Sequence, residues 1–345
     1  MSPRSHALCH EPRLALRDAW DELKRAQPNI RPREAALALG VSEAELVATA
    51  CGEQTLRLCP PWPALLSGLS RLGRVVAHTR TARSVLEERG LYPSHVLRSR
   101  GCDGIDVRPV CDRWLVGYAV LGPGTPHVAF YDRSGTAVHK VFVPDAARGD
   151  AWDTLVRRHE HAVQSPVEHL PPPPPRRIRH DGAIDVATLR TGWAALQGHE
   201  GLELLLDVHQ ATRIQAFRLV GPRWAVPISC TSLPRILRHA AIEGVPLTIT
   251  VGNEGATQVY RGPLSRTYGS GRWLNARALD VSLQVRSDRV ASAWLVRAPL
   301  FGGLAERYEF FDARGELVVQ LASVREVGDP EPDHWHALVK RICSI

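Results

Sequence analysis

The chain of 345 residues lacks the features that mark a membrane, secreted or zinc-stabilised protein. No stretch approaches 18 consecutive apolar residues, so no transmembrane helix is expected. The first ten residues contain no apolar run, so we expect no signal peptide and predict a soluble, cytoplasmic protein. The seven cysteines are odd in number and include no Cys-x-x-Cys pair, which argues against a disulfide framework or a structural zinc site.

The sequence also lacks the common catalytic motifs and contains few lysines. The sequence has no glycine-rich phosphate loop, His-Glu-x-x-His, Gly-x-Ser-x-Gly or paired-carboxylate motif, so nothing indicates a hydrolase or an NTPase. Lysine occurs only at Lys24, Lys140 and Lys340, although the net charge is +7. Arginine therefore supplies most of the positive charge, which suits an anionic ligand or a nucleic acid. A high-GC codon bias would produce the same composition.

The chain contains an internal repeat. The motif Leu16-Arg17-x-x-Trp20-x-x-Leu23 recurs as Leu189-Arg190-x-x-Trp193-x-x-Leu196, and Phe130-Tyr-Asp132-x-x-Gly135 recurs as Phe310-Phe-Asp312-x-x-Gly315. Copies separated by about half the chain indicate duplication of a whole domain rather than a short solenoid period.

A proline-rich segment over residues 165–181 divides the two copies, and its five consecutive prolines predict a polyproline II spacer. We therefore predict an N-terminal repeat over residues 1–164 and a C-terminal repeat over residues 182–345. In each, helical patterns come first, and strands with hairpin turns follow before a closing helix. This order predicts an α+β fold of two tandem structural repeats, each an antiparallel β-sheet packed against helices. The helices predicted in the first repeat cover about 12–26, 31–39, 42–51, 62–70 and 149–162.

The second copy carries a histidine that the first lacks. Leu196-Gln-Gly-His199 follows the second tryptophan motif, whereas the first copy reads Leu23-Lys-Arg-Ala-Gln27. Copies with the same packing demands should share core residues, so a difference in one potential metal ligand points to function. We expect the helix that carries Trp193 to end near Gly198 and His199 to project from that junction. His209 is the rival ligand.

Two arginines are further candidates. Arg108 lies in the strand-like segment Ile105-Asp-Val-Arg108-Pro-Val110 and is expected either partly buried or exposed on a strand. Arg213 begins the segment Arg213-Ile-Gln-Ala-Phe-Arg218 and has a counterpart in Arg33. That correspondence favours a structural role, such as an ion pair at a helix start.

Residues 30–46 imitate a helix-turn-helix, and Ser42 followed by Glu45 predicts a capped helix start. The helix in the place of the recognition helix contains two glutamates and no Arg, Lys, Asn or Gln. Such a helix would repel phosphate, so no specific nucleic-acid partner is predicted.

Taken together, these residues resemble the cytoplasmic haemin-transport and haem-degrading family of the HemS, HmuS and ChuS type. The family's Arg, Glu-Ala-Ala and Leu-Gly-Val-Ser-Glu-Ala-Glu-Leu pattern appears as Arg33 to Leu46. Its Ile-Asp-Leu-Arg looks like Ile105-Asp-Val-Arg108, and its His-Lys-Val-Tyr looks like His139-Lys-Val-Phe142. Its C-terminal Phe-Asp-x-x-Gly pattern, with a later glutamine and arginine, looks like Phe311 to Arg325. The resemblance covers nearly the whole chain.

The resemblance implies that one haem binds in the C-terminal half. By it, His199 would be the proximal ligand of the iron, and Arg108 the distal residue with a catalytic role in any cleavage of the ring. Arg213, Gln320 and Arg325 match family positions that line the pocket or pair with the haem propionates. Neutral imidazole is a good ligand for haem iron, and the arginine fork suits carboxylates.

The resemblance also implies a role in haem uptake, trafficking or degradation with iron release, and leaves open whether the protein is an enzyme. It implies a membrane haem importer and a downstream haem oxygenase or reductase as partners. Two departures remove pocket groups, since a basic residue of the family is Ala298 here and an aromatic residue is Ala322. Arg297 is a candidate replacement for the lost base. The alternative function is therefore a family-like scaffold that has lost tight haem binding and acts as a partner-binding or regulatory protein.

Overall fold

A computed structural model describes residues 3–93, 104–122, 124–144, 149–166, 177–196, 199–300, 303–325 and 329–343. The chain forms two compact units. The first unit comprises Met1–Thr79, Arg89–Pro173 and Asn253–Ala256, and the second comprises Arg80–Glu88, Pro174–Gly252 and Thr257–Ile345. The five prolines of the predicted spacer lie outside the described residues.

The elements up to residue 159 follow the predicted order of helices, strands and a closing helix, except that one short strand, β1, lies between the third and fourth helices. The helices are α1 (Pro3–Ala26), α2 (Pro32–Leu39), α3 (Glu43–Ala48), α4 (Trp62–Leu69) and α5 (Asp150–His159). The strands are β1 (Thr55–Leu58), β2 (Arg74–Arg80), β3 (Ser84–Leu91), β4 (Asp106–Pro109), β5 (Val116–Val120), β6 (His127–Tyr131) and β7 (Ala137–Phe142). Within the first unit, the strands β1, β5, β6, β7 and β2 lie side by side in that order, all antiparallel.

An aromatic cluster fills the core of the first unit. The Trp114 and Phe130 rings stack at 4.1 Å, and Trp62 meets Phe130 edge-on at 5.6 Å. Gly117 on β5 permits this packing, because a Cβ there would lie 2.9 Å from the Trp62 ring. The cluster joins α4 to the sheet.

The second unit repeats the arrangement with longer strands. Its helices are α6 (Val186–Ala194), α7 (His199–His209), α8 (Arg213–Val220), α9 (Ser232–Glu243) and α10 (Asp333–Cys343). Its strands are β8 (Ala225–Ile228), β9 (Leu247–Gly252), β10 (Ala256–Gly262), β11 (Arg266–Ser270), β12 (Trp273–Arg277), β13 (Val281–Val285), β14 (Ser292–Leu300), β15 (Gly303–Phe311) and β16 (Leu317–Ser323). One antiparallel sheet runs in the order β8, β14, β15, β16, β9, β10, and a second set joins residues 84–88 of β3 to β13, β12 and β11. No helix among the described residues is long and apolar enough to cross a membrane.

The duplication is visible down to single hydrogen bonds. The order β8, β14, β15, β16, β9 in the second unit matches β1, β5, β6, β7, β2 in the first. In the first copy, Asp132 Oδ1 accepts hydrogen bonds from the backbone N–H groups two and four residues later, at 2.9 and 3.0 Å. Asp312 Oδ1 does the same in the second copy, at 2.8 and 3.1 Å. The predicted α+β fold of two repeats with antiparallel sheets is confirmed.

Candidate functional site

The main sheet of the second unit is covered by helices on both faces. Because side chains alternate along a strand, Tyr308 and Phe310 of β15 enter the core beneath α9 and α10. Arg307 and Glu309 therefore point the other way. They share that face with Trp294 and Val296, their direct register partners on β14, which pack with α6, α7 and α8. We call this surface the α6–α8 face.

An ion cluster centred on Arg213 lies on the α6–α8 face. Arg213 is the first residue of α8, directly after the capping residue Thr212. Its Nη1 donates to Glu309 Oε2 at 2.9 Å, and its Nε donates to Glu203 Oε1 of α7 at 3.1 Å. Glu309 is fully buried, whereas Glu203 is about half exposed. The cluster ties α7 and α8 to the sheet, so Arg213 has a structural role whatever else it binds.

Gln320 lies beside this cluster. It is the register partner of Glu309 on β16 and is only 8 % exposed. Oε1 of Gln320 and Oε1 of Glu309 are both buried, and neither has a hydrogen-bond partner among the described residues. Buried polar atoms without a partner are uncommon and indicate water or a further group at the site.

His199 and His209 occupy opposite ends of α7. The expectation that the Trp193 helix would run to about Gly198 was wrong, since α6 ends at Ala194 and His199 begins the next helix. The imidazole of His199 lies outside the described part of the chain. His209 is 7 % exposed, and ten residues of helix place its Cα about 15 Å from that of His199. The two histidines therefore belong to different places on the unit.

The two remaining predicted arginines make contacts of their own. Arg325 follows β16, and its guanidinium donates to the backbone oxygens of Asp329 and Leu304, both at 3.1 Å. Arg108 belongs to β4 of the first unit; its side chain is 40 % exposed, and its Nε lies 3.9 Å from Asp106 Oδ1. Arg108 is therefore a strand residue whose side chain is partly buried and partly exposed.

The helix caps show that the predicted correspondence between Arg213 and Arg33 was wrong. Thr212 and Gln215 form a capping box at the start of α8, and Ser42 and Glu45 form the same box at the start of α3. The residue after the cap is Arg213 in one copy and Glu43 in the other, so Arg33 is not the counterpart.

Glu43 also makes a buried ion pair, with the charges reversed. Its Oε1 accepts from Lys140 Nζ of β7 at 2.5 Å, and both side chains are buried. Lys140 has the same place in the first sheet as Gln320 in the second, opposite Ala129 in one copy and Glu309 in the other. Each repeat thus ties its capped helix to the sheet by one ion pair. Glu43 is therefore turned into the protein, where it cannot face a nucleic acid.

Sequence reasoning missed Arg307, Glu309 and Glu203. The available signal was Arg307-Tyr-Glu-Phe-Phe311, where two charges alternate with apolar residues in a strand pattern. Burial lowers the pKa of the Arg307 guanidinium from its usual value, and the Glu309 carboxylate opposes that shift. The α6–α8 face therefore carries two cations and two carboxylates at the point where α7, α8 and the sheet meet.

A family model described as the haemin-degrading HemS.ChuX domain matches residues 40–159 and 210–342. These segments cover most of the chain and fall in both repeats. The chain therefore belongs to the HemS/ChuX haemin-degrading family.

Named relatives match the chain over nearly its whole length. The hemin transport protein HmuS of Yersinia pestis is 28% identical over 339 residues, which are 96% of this chain and 98% of that protein. The crystal structure of holo-PhuS, a heme-binding protein from Pseudomonas aeruginosa, is 36% identical with a TM-score of 0.90, covering 96% of this chain and 99% of that one. The structure of ChuS, an E. coli heme oxygenase, is 25% identical with a TM-score of 0.84, covering 95% and 99%.

Proposed function

We propose that this protein binds haem in its second repeat and serves in haem uptake, trafficking or degradation. The observation that carries the proposal is the full-length similarity to holo-PhuS, a heme-binding protein, at 36% identity. His199, at the first position of α7, is the proposed iron ligand. Neutral imidazole suits this role.

The residues of the α6–α8 face fit a haem on chemical grounds. Arg213 places a cation on this face, and the buried oxygens of Glu309 and Gln320 that lack described partners indicate a water or a further group beside it. Ala298 is buried in the cluster that packs with α6, α7 and α8, and Ala322 is partly buried. We propose Gln320 as a lining residue, and Arg213 and Arg325 as cations that favour the propionates.

Arg108 is proposed as the distal residue. A guanidinium donates hydrogen bonds in a fixed fork and keeps its charge at all physiological pH values, so it stabilises negative charge that develops near it. Bound haem supplies the oxygen and redox chemistry, and the protein supplies binding, orientation and electrostatics. We propose a cytoplasmic location, a membrane haem importer as donor, and a haem oxygenase or reductase as a downstream partner.

A haemin titration of the purified protein, followed at the Soret band, tests the proposal. We expect a saturable one-to-one complex. His199→Ala should weaken binding and shift the spectrum, whereas the matched variant His209→Ala should leave both unchanged. If His209→Ala alone changes the spectrum, the ligand assignment moves to the other end of α7. Wild-type protein without a saturable Soret change refutes haem binding.

Turnover of the complex separates a carrier from an enzyme. Ascorbate is added in air with catalase present, and the loss of the Soret band is followed together with the release of iron. Degradation that Arg108→Ala slows while haemin affinity is kept supports a haem-degrading enzyme. A Soret band that persists supports a carrier.

The small residues Ala298 and Ala322 favour a second candidate, a scaffold that has lost tight haem binding. Replacing an aromatic side chain by alanine removes apolar contact, and losing about 80 Å² costs about 2 kcal/mol. Restoring the aromatic with Ala322→Tyr should then tighten a weak haemin complex. Tight binding by the wild-type protein excludes this candidate.

A further inference from the structure

The strand β11 lies at an edge of the sheet formed in the second unit by residues 84–88 of β3 with β13, β12 and β11. It pairs with β12 on one side, and no other strand of the described residues pairs with its second side. All of its residues except Thr267 are exposed. An edge strand presents backbone N–H and C=O groups, so β11 can pair with a further strand.

The side chains of the β11–β12 hairpin divide between two faces. Leu274 and Ala276 of β12 pack in the core that α9 covers. Arg277 alternates with them, so it lies on the opposite face together with its register partner Arg266 of β11. Tyr268, two residues after Arg266, shares that face. We call Arg266, Tyr268 and Arg277 the arginine–tyrosine cluster.

The arginine–tyrosine cluster places two cations directly opposite one another. The Arg266 guanidinium lies 5.5 Å from the centroid of the Tyr268 ring, and Arg277 Nε donates to Tyr268 Oη at 3.2 Å. Like charges that face each other on neighbouring strands repel. Neither arginine has an ion pair within the described part of the chain, and residues 262–279 contain no Asp or Glu. A carboxylate brought to this cluster would therefore relieve the repulsion.

A third cation stands at the other end of the strand. Arg272 is exposed in the turn that joins β11 to β12. Arg286, after β13, differs from these three because two hydrogen bonds of 2.7 Å hold it to the Asp288 carboxylate. The edge of the sheet is thus positively charged at both ends of β11, which favours an acidic partner.

We propose that β11 is a docking edge for an acidic, extended segment of a partner protein, which adds to the sheet as a further strand. Alternate side chains of a strand share one face, so an acid at every second position lies on the face of the arginine–tyrosine cluster. One carboxylate lies beside Arg266, and a later one reaches Arg272. Main-chain hydrogen bonds supply affinity, and the arginines select for acidic side chains. The proposal does not depend on haem binding.

The test measures the binding of a fluorescein-labelled peptide of alternating glutamate and valine, as long as β11, to the full chain by fluorescence anisotropy. We expect saturable binding by wild type. The triple variant Arg266→Gln, Arg272→Gln, Arg277→Gln should bind about tenfold more weakly or worse. Urea unfolding of each variant reports whether it is folded. A control that removes the same charge from exposed positions on other elements should stay within about threefold of wild type; it combines Arg71→Gln, Arg133→Gln and Arg314→Gln.

A second peptide separates strand addition from simple charge attraction. Methylating its backbone nitrogens removes the hydrogen-bond donors and keeps every charge, so it should bind at least about tenfold more weakly. Equal affinity for the two peptides would overturn the proposal, and so would a wild-type protein that does not bind the unmethylated peptide. An oligothymidylate that binds more tightly than the peptide, and that loses affinity in the triple variant, would assign the surface to nucleic acid instead. Haemin binding is measured separately, so failure here leaves the proposed function untouched.

Discussion

Replacing Arg213 by methionine tests whether the buried ion cluster stabilises the second repeat. Arg213 Nη1 lies 2.9 Å from Glu309 Oε2, and Glu309 is fully buried. Arg213→Met keeps most of the apolar stem and removes the charge, so Glu309 loses its guanidinium partner. A buried carboxylate that loses its hydrogen-bonded cation is costly to keep ionised.

The magnitude follows from the exposure of the two carboxylates. Removing one partner of a buried ion pair costs about 3–5 kcal/mol. The Glu203 contact adds little, because that side chain is 48% exposed and exposed pairs contribute about 0–1 kcal/mol. We therefore expect Arg213→Met to lower the free energy of unfolding by about 3–5 kcal/mol. Adding Glu309→Gln removes the unpaired charge and should recover at least about 2 kcal/mol.

Urea unfolding followed by far-UV circular dichroism measures these differences, provided that the m-values of the variants agree. The control is Glu203→Gln, for which we expect a loss below about 1 kcal/mol. A loss below about 1 kcal/mol for Arg213→Met would refute the structural role. So would a double variant that is no more stable than Arg213→Met alone. If Arg213 acts mainly on a propionate, stability is kept and haemin affinity falls.

Two further predictions concern two buried histidines of the first unit and one glycine in each unit. Burial lowers the pKa of His139 to about 3 and that of His127 to about 4, below the ordinary 6.5. The unfolded chain then binds more protons below pH 6.5, so the free energy of unfolding should fall by about 1.3 kcal/mol per histidine between pH 7 and 5.5. Urea unfolding at the two pH values measures this, and an unchanged free energy contradicts it. Gly117→Ala should cost about 1–3 kcal/mol, because its Cβ would lie 2.9 Å from the Trp62 ring. The matched change Gly192→Ala in α6 meets only the far end of the Leu205 side chain of α7 and should be neutral or stabilising by up to about 1 kcal/mol. Equal shifts of the two thermal midpoints would contradict the packing argument.

Much of the fold was accessible from local chemistry. The capping box at Ser42 and the turn at Asp132 each depend on contacts within four residues, so the sequence already contains every group that they need. The alternating strands and the repeated motifs follow from the same short-range periodicity. The family pattern likewise singled out Arg213 and Gln320, which the structure places on one face of the second sheet.

Helix ends were harder to predict than the helices themselves. The sequence from Trp193 to His199 contains no proline, and its glycine suggested that the helix would continue to about residue 198. In the structure α6 ends at Ala194, and its cap Ala195 bonds back to Gly192 and Thr191. His199 consequently begins a helix. Tertiary packing decides such an end, because the competing local conformations differ little in free energy.

The sequence by itself determined the duplication, the α+β class, the caps and turns, and the family. Those features depend on periodicity and on contacts between neighbours in the chain. Only the tertiary structure decided which charges meet, since Arg213 and Glu309 are separated by 96 residues. It also decided that Arg307 rather than Arg297 stands on the α6–α8 face beside Ala322. The alternation of side chains along a strand shows that neighbouring residues face opposite sides of the sheet. Which residues each side chain contacts depends on the register between the strands and on the helices that pack against the sheet.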